Sequence, residues 1–505
     1  MLGNMPPEPQ RFWDILQAKN GQITANEMSL HLHSAYNPER EAAGAVSSSE
    51  IWNKSATVFY GFGLGYHVLE WVKKAENQKL VLIEPDVKHF YAALTFLDWT
   101  PVFAYENLVI AVGCPVESVL PLIENSEVVN IGNTGVSDAF YFDIPAFQVH
   151  GKEYFDAVKT IVKRNQRKNE INAATLKKFG KLWCRNSVNN IQNLDKCSAI
   201  SCLKNAADET MPFLILGAGP SLQKVLPYIS ELKERAIIVC VETALWALLR
   251  QNVQPDFIIL TDPQYWAYKH IAAYSAPESI LITEVSTYPA VFRFNCAKKL
   301  LCSSQFPVGQ WFEKELQLDL GDLGTGGSVA SSAWNFAYYC GAKQIFVAGL
   351  DFSFPGKQTH IKGSSAEQTY HTISDRLSAP DKFTSGAMFS ANAVEGKDFN
   401  GNPVITDSRM KMFVWWFEAR LAACSDSKTY TLSPEGLCTP GMQPVEISEL
   451  LNRPVLGNRK SDFISMALNS KSALNGNKKA LFEKLKQGFP SAEFISQFPF
   501  LKEYL

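Results

Sequence analysis

The 505-residue sequence contains no Cys-x-x-Cys pair, although it has ten cysteines. Metal fingers and CxxC redox motifs are therefore not expected, and cysteines scattered through apolar stretches read as buried, reduced thiols. No apolar run approaches the about 20 residues of a membrane-spanning helix. Met1 to Gln10 is polar and proline-rich, without the pattern of a secretory signal. Charge is nearly balanced, with 48 Lys+Arg against 50 Asp+Glu, so nothing basic points to nucleic acid. These absences fit a cytoplasmic protein. Hydrophobic residues at 46% and aromatics at 12% are enough for packed cores, and the length suits two or three domains.

The most informative segment is Phe213-Leu214-Ile215-Leu216 followed by Gly217-Ala218-Gly219-Pro220-Ser221. Four apolar residues suit a strand buried on both faces, and the glycines allow a tight turn. Ser221 would cap a helix carrying Leu222, Val225, Leu226, Ile229 and Leu232, whose free amides would suit a phosphate. Leu222 replaces the third glycine of a dinucleotide fingerprint, and no Gly-Lys-Ser/Thr makes it a Walker loop. A ligand-free turn is the competing explanation. Further strands are expected at 236–241, 257–261, 279–284, 298–302 and 344–348. Helices near 221–234, 243–251 and 328–340 would make the sheet parallel and doubly wound. Ligands of such sheets bind outside the carboxyl ends of the strands. Glu242, Thr243, Asp262 and Asp351 stand at those ends, where Asp262 could accept from a ribose or nucleobase or merely cap the surface, and Asp351 could line the crevice or merely order its loop. A second glycine cluster, Thr325-Gly326-Gly327-Ser328 after Gly324, opens the helix at 328–340 and would bring a second set of amides to the crevice.

Upstream, Gly61-Phe62-Gly63-Leu64-Gly65 follows an apolar stretch, and Glu84 ends the next one. That order fits either a nucleoside pocket of the S-adenosylmethionine kind or a scaffold without ligand. Residues 151–205 are basic, Asn-rich and helical. Residues 353–400 are rich in Gly, Ser, Thr and Lys and read as a mobile lid carrying His360. An imidazole there could deprotonate an attacking hydroxyl near neutral pH, although an exposed loop histidine without function has the same appearance. No Asp-x-Asp stands near a strand end, so metal-free chemistry and a monophosphate leaving group are expected, with no cofactor required.

Taken in order, several stretches resemble the motility accessory factor (Maf) family of flagellin glycosyltransferases. They are Leu32–Ala42, Gly61–His67, Ile83–Asp86, Trp183–Asn186 with Asn190, Gly217–Leu222, Pro255-Asp256 with Asp262, Gly324–Ala330, and Gly349–Phe352 with Thr359-His360. The family's central domain is grouped with hydroxymethylpterin pyrophosphokinase-like domains and is similar to bacterial sialyltransferases. The resemblance implies an α/β chain with a Rossmann-like N-terminal domain (1–150), a helical linker (151–205), a central sialyltransferase-like domain with a doubly wound parallel sheet (206–430) and a helical C-terminal region (431–505). It implies inverting transfer of a nonulosonic acid of the pseudaminic or legionaminic type from a CMP-activated donor to Ser/Thr of flagellin, in support of flagellar assembly and motility. By the same resemblance Gly217, Ala218, Gly219, Pro220 and Ser221 would surround the CMP phosphate and ribose. Thr325, Gly326, Gly327 and Ser328 would meet the cytidine or the sugar carboxylate, and Glu242, Thr243 and Asp262 complete the donor set. His360 and Asp351 would be catalytic. Two departures stand out: Ala218 replaces a usual Asn, and Pro434–Cys438 lacks an expected Gly-Gly pair. A pterin pyrophosphokinase-like phosphotransferase and a non-catalytic flagellin binder are the alternatives.

Overall fold

The computed structural model describes residues 13–27, 29–116, 118–119, 122, 139–144, 151–324, 326–474, 476–488 and 492–497. The chain divides into two compact units, Met1–Lys178 and Phe179–Leu505. In the first, β1 (Asp14–Gln17), β2 (Ile23–Glu27) and β3 (Leu30–His31) form an antiparallel meander. A second sheet contains β4 (Ala56–Tyr60), β5 (Lys79–Glu84), β6 (Leu108–Val112) and β7 (Ala139–Asp143), all parallel, in the order β6-β5-β4-β7. Every residue of β4 is buried, which explains the unbroken apolar run there.

The second unit is organised around one nine-stranded sheet. Its members are β8 (Ser198–Ala199), β9 (Phe213–Leu216), β10 (Ile237–Val241), β11 (Phe257–Ile259), β12 (Ala276–Thr283), β13 (Cys296–Leu301) and β14 (Gln344–Ala348). After a separate hairpin, β15 (Val394–Lys397) with β16 (Pro403–Thr406), come β17 (Lys428–Thr431) and β18 (Met442–Pro444). The spatial order is β18-β17-β14-β9-β10-β11-β12-β13-β8, and every pairing is parallel. The chain thus steps outward from β9 to β13, then returns past β9 to lay down β14 on its other side. The loops leaving β9 and β14 therefore flank the reversal point, where open α/β sheets place their ligands.

Every residue of β9, β10 and β11 is buried, and helices supply the remaining core. Phe336, on the helix Val329–Tyr339, meets Phe257 at 4.9 Å between ring centroids. Phe463, on the helix Asn458–Leu468, meets Phe213 at 5.7 Å and Phe257 at 6.1 Å. The helix Asn458–Leu468 therefore belongs to this core.

Two expectations need correction. Residues 353–400 are not a long loop: they hold the helices Ser365–Ile373 and Pro380–Phe389 and the first strand of the β15–β16 hairpin. Ser364 caps the first helix by accepting from the Glu367 amide, Pro380 opens the second, and Tyr370 stacks on Phe383. The region from 431 onward is not helical at its start either, because β18 adds an edge strand before the helices begin at Ile447. Among the described residues, no helix is long and apolar enough to cross a membrane.

Candidate functional site

The loop after β9 is closed to an anion by the chain itself. The Gly217 amide donates to Ala348 O and the Gly219 amide to Gly349 O, both at 2.9 Å. Ala218 O accepts from the Ile361 amide at 2.8 Å, and Pro220 has no N–H to offer. Ser221 does not cap the following helix, whose first α-helical segment is only Leu222–Val225 before Pro227 shifts it to 3₁₀ geometry. Instead the Ser221 amide donates to Asp351 Oδ2 at 3.0 Å and its hydroxyl to Asp351 Oδ1. A phosphate cradle formed by Gly217, Gly219 and Ser221 is therefore overturned, because the Asp351 carboxylate occupies the anion position. Asp351 is only 3% exposed, and both of its oxygens are engaged by Ser221, so its observed role is to hold the loops together. It is a latch between the β9 and β14 loops, and burial raises its carboxyl pKa to about 6.

The glycines serve this latch. A Cβ on Gly217 would lie 2.5 Å from Gly349 O, and one on Gly219 would lie 2.7 Å from the same atom and overlap Asp351. Gly219→Ala is expected to destabilise the protein by about 1–3 kcal/mol, since backbone cannot yield as a flexible side chain does. Gly386→Ala, on an open helix surface with nothing within 4 Å, should be neutral or slightly stabilising. Urea titration of the two variants checks the contrast. Equal midpoints would mean the β9 loop has slack.

The second glycine motif behaves as expected at its end. Ser328 caps Val329–Tyr339 by accepting from the Ser331 amide at 3.4 Å, leaving the first helical amides without intrahelical acceptors. Because this helix runs back toward the start of β14, its N-terminus lies at the carboxyl edge of the sheet. Gly326 packs under Ser331, with Trp416 Cε2 2.8 Å from its would-be Cβ, and Phe413 lies beside Gly327. Ser328, Gly326 and Gly327 keep partial exposure, whereas Thr325 lies outside the described residues.

The same edge carries a row of acids with raised pKa values. Burial pushes Glu242, after β10, up to about 8, and Asp262 adds like-charge repulsion. Its Oε2 is buried without a hydrogen-bond partner. Asp262, after β11, remains partly exposed; burial raises its pKa although the Gln264 amide donates to it at 2.7 Å. Thr243 is also partly exposed. Of this set, Thr243 and Asp262 are reachable and Glu242 is not.

His360 is exposed at the surface, yet protein surrounds its imidazole closely enough that desolvation lowers its pKa from the ordinary 6.5. At neutral pH it is thus an uncharged base. His270, on the segment after β11, is held down to about 4 by burial first and by His360 second. The two imidazoles therefore lie close enough to interact, and His270 Nδ1 hydrogen-bonds Ser365 Oγ. The structure brings His360, Asp262 and the Ser328 helix start to one edge. Among the described residues no group of three or more His, Cys, Asp or Glu could hold a metal ion.

The Gly61–Gly65 turn of the first unit is filled. Phe62 and Leu64 are fully buried, the Leu64 amide donates to His33 Nε2 at 3.0 Å, and Trp99 abuts Gly65. Glu84, which would grip a ribose, accepts from the Asp86 amide and pairs with His89 at 3.7 Å. The scaffold explanation holds for this turn.

Comparison with known proteins agrees with both units. Residues 10–107 match the family model of the glycosyltransferase Maf N-terminal domain, and residues 185–357 match 6-hydroxymethylpterin diphosphokinase MptE-like. The structure of Maf glycosyltransferase from Magnetospirillum magneticum AMB-1 superposes with a TM-score of 0.63 at 14% identity, covering 96% of this chain and 77% of that one. Residues 10–107 thus resemble a Maf N-terminal domain, and the chain shares its fold with a Maf glycosyltransferase. Two uncharacterized proteins of Treponema pallidum (strain Nichols) are also similar. One is 35% identical over 231 residues, 40% of this chain and 58% of that relative; the other is 27% identical over 238 residues, 46% and 77% respectively.

Some residues of this edge lack any glycine or charge motif in the sequence. Glu284, after β12, is buried and pushed up to about 7, and Ser286 donates to it. Asn186 and Asn190 tie down the adjoining loops, Asn186 Nδ2 donating to Pro263 O and Ser286 O, Asn190 Nδ2 to Val285 O and Thr287 O. Four residues apart on the helix Lys152–Asn190, they share one face, which is the signal the sequence offered.

Proposed function

We propose that the protein transfers a nonulosonic acid of the pseudaminic or legionaminic type from a CMP-activated donor to Ser or Thr of flagellin. The observation that carries this reading is a solvent-reachable, uncharged His360 at the carboxyl edge of the reversal-point sheet, close to His270. His360 takes the proton of the acceptor hydroxyl as that oxygen attacks C2 of the donor from the face opposite the leaving group. The C2–O bond to CMP breaks with its electron pair leaving on the phosphate, so configuration inverts. With the Gly217–Ser221 loop latched, the anionic parts of the donor are assigned to the start of the Val329–Tyr339 helix at Ser328, whose first amides are unengaged within the helix. Asp262 and Thr243 are assigned to donor hydroxyls. The exposed pair Tyr265 and Trp266, 49% and 60% accessible and three to four residues after Asp262, offers an aromatic face to an acceptor at the same edge.

A second reading rests on the MptE-like match at 185–357: pyrophosphoryl transfer from ATP to a pterin alcohol. Asp262 is the reachable carboxylate that would serve it, since Asp351 is locked. Incubation of the full chain with flagellin and a CMP-nonulosonic acid, read by intact mass, separates the two.

A further inference from the structure

A cavity of about 370 Å³ lies against the side of the Val329–Tyr339 helix, bounded at one end by Gly324 and Trp416 beside the second glycine motif. Its walls include Lys204, Asp322, Asn335, Tyr339, Trp416 and Arg420. The volume falls at the lower end of small-molecule sites. Asn335 and Tyr339 stand two and three turns along the helix from Ser328, roughly 10–16 Å on, so the cavity extends along the helix flank beyond its start.

Arg420 is held rigidly there. Its Nε donates to Asn335 Oδ1 at 3.0 Å, and the guanidinium lies 5.4 Å from the ring centre of Tyr338 and 6.0 Å from that of Trp334. Those two rings are themselves stacked, 5.4 Å apart and 9° from parallel. Asn335 is anchored in turn, donating to Leu323 O at 2.6 Å. Among the described residues neither Arg420 nor Lys204 makes an ion pair. Of the residues lining the cavity, Asp322 is the carboxylate, and it accepts from the Gly324 amide at 2.7 Å and Gln305 Nε2 at 2.6 Å. The cavity thus combines two unpaired cations, one pre-set in direction, with the aromatic wall of Trp416. Fixed, directional donors bind oxyanions without the ordering cost of a free side chain.

We infer that this cavity is a second binding site, for a small oxyanion borne on a polar ring: a sugar acid or a sugar phosphate. Arg420 and Lys204 take the oxyanion, and Trp416 faces the ring. The site does not depend on the transferase reading, because binding is measured without donor or acceptor. Calorimetric titration of the full chain with N-acetylneuraminic acid, glucose 6-phosphate and uncharged glucose tests it. Expected is saturable 1:1 binding of at least one anionic sugar and none of glucose. Lys204→Met should weaken that binding about tenfold or more, as should Arg420→Lys, which keeps the charge but loses the fork. Lys204 is exposed and unpaired, so its variant should melt with the wild type. Saturating CMP should leave the titration unchanged. Binding of neither anionic sugar, equal affinity in both variants, glucose binding as well as its phosphate, or displacement by CMP would each overturn the assignment.

Discussion

His360→Ala lowers sugar transfer about 10²–10⁴-fold, the range that general-base assistance supplies. The residue is exposed, so its loss leaves the core intact and the folded fraction unchanged. The effect should fall on kcat, because deprotonating the acceptor is a demand of the transition state and not of the bound ground state. Its pH signature follows from the lowered pKa. Desolvation disfavours the imidazolium, so the base form persists below the ordinary 6.5. Wild-type transfer should therefore hold its rate down to about pH 6.5 and decline only below it, and the variant should lose that acid limb. Measurement of kcat against pH for both proteins checks the assignment. An unchanged rate in the variant removes His360 from the reaction and leaves Asp262 as the base to examine.

The second large effect concerns stability. In most proteins the carboxylates favour folding as pH rises, because native contacts depress their pKa values. Here burial raises them: Asp351 to about 6, Glu284 to about 7 and Glu242 to about 8. For these groups the folded chain binds protons more tightly than the unfolded chain. Their contribution is fully present below the unfolded pKa values and is lost as pH climbs through the folded ones. Glu242 alone should cost the second unit roughly 3 kcal/mol between about pH 5 and about pH 8, because a proton held only by the folded chain costs up to about 1.4 kcal/mol for each step of one in pH. Glu242→Gln keeps the shape and removes the titration. It should be near wild type at pH 5 and distinctly more stable at pH 8, by urea unfolding at both. Parallel losses in the two proteins would show that Glu242 ionises freely in the folded state.

How much of this could be read from residues alone varied with the range of the interaction. The strands at 213–216 and 344–348 were legible to the residue, since each carries four apolar, buried residues ended by glycine, the second opening on the partly buried Gln344. β17 was not, because Lys-Thr-Tyr-Thr alternates polar residues that only the neighbouring β14 makes sense of. The helix Ser365–Ile373 was hidden by its polar composition, although Ser364 and Glu367 spell a capping box. At the candidate site the glycine turn was recognisable, but not its occupant. Asp351 reaches Ser221 across 130 residues of sequence, and no local pattern reveals that the anion the turn invites is the chain's own. His360 could be singled out as the histidine soon after Asp351, whereas the burial that separates Glu242 from Asp262 depends on packing around neighbouring strand ends.

Whether this edge moves sugar is tested most directly by incubating the purified full chain with flagellin and CMP-pseudaminic acid and weighing the flagellin intact. Flagellin should gain whole multiples of one nonulosonic acid residue, with equimolar CMP released and no gain when the free sugar is supplied with ATP. Flagellin of unchanged mass, under conditions where the donor is intact and both proteins are folded, would contradict it.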